Sequence, residues 1–148
     1  MRPTVTEQLE GICRILEHSV APALANDYTL ETLRSLVANV RMLGRAWHKL
    51  LPFLHWDNGV MVELLTAAQD SVDAALCARI AAALAAPPAD ATDAQAAEMR
   101  NEQLRALLAE CLDGPPALMA GIAAHLAERS RRYPLRLTGA VPKHKSWR

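Results

Sequence analysis

A chain of 148 residues, 51% of them hydrophobic, suits one domain able to bury a core without disulfides or a metal. Its formal net charge is zero, which argues against a protein built mainly to coat a polyanion. Ala and Leu dominate while aromatic residues make up 4%, so helix formers outweigh strand formers and an all-helical class is expected.

The first helix is predicted from Thr4 to Ala21, with Val5, Leu9, Ile12, Leu16 and Val20 on one face. Thr4 or Thr6 can cap it, Glu7 suits its first turn, and Pro22 stops or bends it. The second helix starts at Asp27 or Thr29. Leu33, Leu36, Val40, Leu43, Trp47, Leu50 and Leu54 alternate by three and four, a heptad-like stripe. Pro52 should kink or restart this helix, and Asp57-Asn58-Gly59 reads as the connection to a third, with Asp57 as its N-cap.

The third helix is expected to reach about Ala85 and to bury Val60, Met61, Leu64, Leu65, Val72, Leu76, Ile80 and Leu84. Ala67, Ala74, Ala78 and Ala81 form a second row whose small side chains permit close helix approach. Residues 86–93 read as a linker, its prolines Pro87 and Pro88 ending the third helix and Thr92 or Asp93 capping the fourth. The fourth helix buries Ala97, Leu104, Leu107, Leu108 and Cys111. Gly114 ends it, and Pro115-Pro116 opens a fifth, with Leu118, Ile122 and Leu126 inward and Ala117, Gly121 and Ala124 as another small row.

These patterns predict an all-α, antiparallel bundle of four to five helices over residues 1–133, with a long central hairpin of the second and third helices. Residues 134–148 show no helical period and read as a basic tail. From Arg129 onward there are seven basic residues and no acid, which leaves residues 1–128 at a net charge of −7. Such an arm can dock on an acidic surface of its own or of a second subunit. The alternative, an arm for nucleic acid, draws on Tyr133 and Trp147 beside basic residues, but an acidic body repels phosphates.

Cys13, Cys77 and Cys111 are far apart and lie in apolar helical patterns, as buried reduced thiols do. Met1 to Gly11 holds Glu7 and Glu10 and no apolar run, so no signal peptide is expected, and no segment is apolar enough for a membrane span. A cytoplasmic location is the expectation.

The stretch Arg14-Ile15-Leu16-Glu17, then Val20-Ala21-Pro22-Ala23-Leu24 and Tyr28 before a Leu-rich helix, resembles the start of a small uncharacterised family of helical bacterial proteins. That family is encoded beside phosphotransferase-like and acyl-CoA dehydrogenase proteins. The resemblance covers the first third of the chain and rests on a helix–proline bend–helix pattern. It implies an accessory or partner role and transfers no catalytic residue.

No motif names a reaction. The six glycines are scattered, so no phosphate-binding loop is present, and no Glu-x-x-His occurs of the kind that holds metals in bundles. No cofactor or metal is expected. Glu63, Asp70 and Asp73 share a face opposite the apolar stripe, where carboxylates are solvated. Arg34, Arg41, Arg45, His48 and His55 lie within about 80° of one another and could pair with those acids, or with an acidic or phosphate-bearing partner. His125, beside Leu118 and Ile122, reads as a partly buried histidine with a backbone partner. The segment Trp47–Asp57 holds three of the six aromatics, two histidines and Pro52. Trp47, His48, His55 and Trp56, with Arg45, are the candidate ligand-binding residues, because indole and imidazole combine apolar surface with hydrogen-bonding groups. The competing reading closes the end of the core with Trp47 and Phe53 and leaves the histidines exposed. The functional expectation is an interaction or accessory protein that forms a homodimer through helix faces, with a small-molecule binder or minor enzyme as the alternative.

Overall fold

The computed structural model describes residues 3–87 and 90–135; of the expected basic tail, 134–148, all from Arg136 onward lies outside them. Every regular element among the described residues is helical: α1 (Val5–Ile15), α2 (Asp27–Ala68), α3 (Ala74–Ala85), α4 (Ala94–Glu110) and α5 (Pro116–Arg132). No helix there is long and apolar enough to cross a membrane. Two compact units divide the chain after His48, so α2 contributes Asp27–His48 to the first and the remainder to the second.

In the first unit, Thr4 caps α1 through a reciprocal box: the Glu7 amide donates to Thr4 Oγ1 at 3.2 Å, and the Thr4 amide donates to Glu7 Oε2 at 2.7 Å. The helical path continues as a π-helical turn, Leu16–Val20, and a 3-10 turn, Ala21–Ala23, and stops there, where Pro22 breaks the pattern. Asn26 then opens α2, its side-chain oxygen accepting from the amides of Tyr28 and Thr29.

Two short-range signals in α2 are overridden. Pro52 sits inside the helix, and the Asp57-Asn58-Gly59 turn signal is helical too. The turn between the second and third helices falls instead at Gln69–Asp73, with Asp73 as the N-cap, accepting from Ala75 and Leu76 at 2.9 Å. Proline removes one backbone donor, but Pro52 is exposed, so water can reach the orphaned carbonyl while Phe53 and Leu54 beside it bury. Asp57 and Asn58 stay helical because their side chains bond to other helices instead of to their own backbone.

The core of the second unit combines Met61, Leu65 and Ala68 of α2 with Leu76 and Ile80 of α3, Leu104 and Leu107 of α4, and Leu118 and Ile122 of α5. Full burial of each large aliphatic side chain contributes about 1.5–3 kcal/mol. Arg79, midway along α3, pairs with Glu110 at the end of α4, and Ala86, just past α3, shares a shallow groove with Met99 near the start of α4, so α3 and α4 run antiparallel. Gly121 sits against Leu64, where a Cβ would approach Leu64 Cδ2 to 3.0 Å. The remaining members of the small-residue rows, Ala67, Ala74, Ala78, Ala81, Ala117 and Ala124, are exposed.

A continuous α2 has a direct consequence. Pro52→Ala restores the missing donor and should stabilise the protein by about 1–3 kcal/mol, read as a higher urea midpoint at unchanged slope. A loss of stability would mean that the chain needs a break at this position.

Candidate functional site

Asp57, central to the second unit, is fully buried. Its Oδ2 accepts from Asn101 Nδ2 of α4 at 2.7 Å and from Arg129 Nε of α5 at 2.9 Å. Asn101 also donates to Asn58 Oδ1 at 2.9 Å, and Asn58 Nδ2 donates to the Ala97 carbonyl at 3.0 Å. One carboxylate and two amides therefore tie α2, α4 and α5 together.

Oδ1 has a different neighbour. His125 Nε2 lies 3.1 Å from it, close enough for an ion pair, yet off the line of a hydrogen bond. Asp57 Oδ1 and both ring nitrogens of His125 find no hydrogen-bond partner among the described residues. His125 is 5% exposed, and no backbone group fills the role the sequence suggested for its partner. Buried polar groups in native proteins are nearly always paired, so three such atoms in one place mark this cluster out.

Aromatic rings surround the polar centre. Trp56 packs on His125 with ring centroids 5.7 Å apart, and Phe53 meets Trp56 at 5.9 Å and Tyr133 edge-on at 5.4 Å. Arg129 Cζ lies 5.7 Å from the Phe53 ring centre, and Arg132 Cζ 4.4 Å from that of Trp56. Burial pushes the His125 pKa below its ordinary 6.5; the Asp57 carboxylate works against that shift and Arg129 adds to it. The imidazole is therefore neutral at pH 7. An Asp–His pair can act as an acid–base couple, and here both side chains are buried.

The residues singled out in the sequence are dispersed. In the first unit, Trp47 is 41% exposed, its Nε1 donating to Thr6 Oγ1 at 3.2 Å, and His48 stands edge-on to the indole at 6.1 Å. Arg45 is exposed. In the second unit, His55 is exposed with Nε2 2.9 Å from the Ala91 carbonyl oxygen, while Trp56 alone joins the Asp57 cluster. Of the basic row, Arg41 pairs with Glu10 of α1 and Glu17 of the π-helical turn, and Arg34 with Glu31. Asp73 serves as a cap. Cys13 and Cys111 are buried, Cys77 is half-buried, and all three are free thiols. Among the described residues no group of three or more His, Cys, Asp or Glu side chains could hold a metal.

Asn101 looks like an ordinary polar position on an amphipathic helix, and Arg129 reads in the sequence as the start of the basic arm; the structure turns it instead onto Asp57. One signal was available: Asn101 lies three residues before Leu104 and four after Ala97, on the buried face of α4.

Compared with known proteins, the chain matches no family model, and no curated protein or solved structure matches it either.

Removing the carboxylate strands Arg129 and Asn101, so Asp57→Ala should cost about 3–5 kcal/mol. The folded protein holds the His125 proton less tightly than the unfolded chain. The stability this residue contributes is thus fully present above pH 6.5 and lost as pH falls towards its lowered folded value. Urea unfolding at pH 7.5 and below 6 should show that loss in the native chain, and a smaller one in His125→Gln. Equal pH slopes in the two proteins would contradict it.

Proposed function

We propose that this chain is a helical interaction protein that self-associates through one face of the α1–α2 hairpin. The supporting observation is a row of exposed apolar side chains on a single flank of the first unit. Thr6 Oγ1 donates to the Gly44 carbonyl, Leu9 packs on Gly44, and Cys13 Sγ lies 3.8 Å from the Val37 carbonyl oxygen. Partner numbers fall as those of α1 rise, so α1 and the start of α2 run antiparallel. Arg41, bonded to Glu10 and Glu17, closes one flank of this contact.

At about 100° per residue, Val5 and Ile12 of α1 and Leu36, Leu43 and Trp47 of α2 all fall on the opposite flank. Each of the five is more than 40% exposed. Among the described residues, two helices with one ion-paired flank and one apolar flank have no partner layer over the apolar one. A second hairpin related by twofold symmetry supplies one and completes a four-helix arrangement.

The resemblance of the first third to a family of helical bacterial proteins supports an accessory role. Exposed Arg45 and His48 suit a further partner carrying acidic or phosphate groups. The alternative, a small-molecule site, draws within the second unit on Trp56 and the unpaired atoms of Asp57 and His125.

Sedimentation equilibrium at micromolar concentrations should give a dimer mass that declines on dilution. Leu43→Glu should shift it to the monomer with helical circular dichroism retained. A monomer throughout, or a dimer indifferent to Leu43→Glu, defeats the proposal.

A further inference from the structure

Asp57 has two carboxylate oxygens, and the structure uses them unequally. Oδ2 carries Asn101 and Arg129, while Oδ1 sits beside an imidazole nitrogen that does not bond to it. The two groups flanking the carboxylate differ in their access to water. The side chain of His125 is 2% exposed and that of Arg129 is 24% exposed.

We propose that Asp57 is a proton-operated latch: when His125 takes a proton from solvent at Nε2, its new N–H bonds Asp57 Oδ1, and Arg129 leaves Oδ2 for water, freeing the last turn of α5 from α2. The charge balance favours this exchange. With His125 neutral, one carboxylate faces one guanidinium. One added proton places two cations on one buried carboxylate, and the cation with a path to solvent is the one that departs. Asn101 can remain, since it is neutral and bonds through its amide.

The groups around His125 allow this. From α2 come Asp57 and the uncharged Trp56 ring, and from α4 the amide of Asn101. α5 brings Arg129 one turn along, while its Arg131 and Arg132 are paired with Glu128. Asp57 and Arg129 are the charges acting on the ring. On α3, Asp73 is engaged as a cap and Arg79 with Glu110. Phe53 and Tyr133, which flank the Arg129 guanidinium at 5.7 and 6.0 Å, would lose their cation on release.

Proton NMR of the full chain tests the latch. The Arg129 Nε–Hε cross-peak, assigned by its absence in Arg129→Lys, is expected at pH 8 as a slowly exchanging signal. On acidification it should vanish with the same midpoint as the titration of the His125 ring carbons, and it should persist through that range in His125→Gln. If His125→Gln does not fold, agreement of the two midpoints in the native chain decides. The latch is refuted if the Arg129 signal survives while His125 titrates or disappears at a different pH. It is equally refuted if His125 does not titrate before the protein unfolds in acid.

Discussion

A carboxylate without solvent exposure cannot be left alone, and in residues 49–134 much of the arrangement follows from keeping Asp57 paired. It lies within a helix of 42 residues, at a spot whose local sequence favours a turn. The local preference of Asp-Asn-Gly is worth little beside the cost of stranding a buried anion. Once Asn101 and Arg129 donate to the carboxylate, and Asn58 reaches the Ala97 carbonyl, these side chains are held by other helices instead of by the backbone at 57–59. The same contacts set α4 and α5 against α2 at defined positions along their length, a registry that interchangeable leucines specify poorly. Buried polar groups are best attested in that registry role.

The first unit follows a different logic. Its α1–α2 contact is narrow, built on Gly44, Val37 and Cys13, with the Glu10–Arg41–Glu17 ion pairs on one flank. A narrow seam leaves much of each amphipathic face uncovered. The heptad-like stripe of α2 therefore splits: Leu33 turns inward, while Leu36, Leu43 and Trp47 stay exposed. The stripe was real as a pattern, but it is wider than the contact between α1 and α2 requires, and the surplus is the face on which the proposed self-association rests.

The helical class was legible from composition and periodicity, and so were several ends: Thr4 with Glu7, Asp93, and Pro116 after Gly114 all fall where capping chemistry places them. The break at 57–59 was misread for a definite reason. Turn propensity is a property of neighbours in the chain, whereas the fate of Asp57 depends on residues 44 and 72 positions away. The buried faces were also offset. Over the first predicted helix, Thr4 to Ala21, the spacing of Val5, Ile12 and Val20 predicts burial, yet Cys13 and Ala21 are the buried residues, because periodicity identifies a stripe without saying which edge of it meets a neighbour. Of the candidate site, Trp56 was found by its chemistry and His125 was noticed. The bond from Asp57 to Arg129 was not legible, since nothing in one sequence links an aspartate on one helix to an arginine on another.

The claim on which the account turns is that Asp57 is held inside an unbroken helix by α4 and α5. Amide hydrogen exchange across residues 53–61 addresses it directly. The account predicts slow exchange at Asn58, Gly59 and Val60, comparable with that of Leu65 in the same helix. Exchange at those three amides as fast as in an open loop would show that the chain turns there after all, and that Asp57 caps a helix instead of joining three.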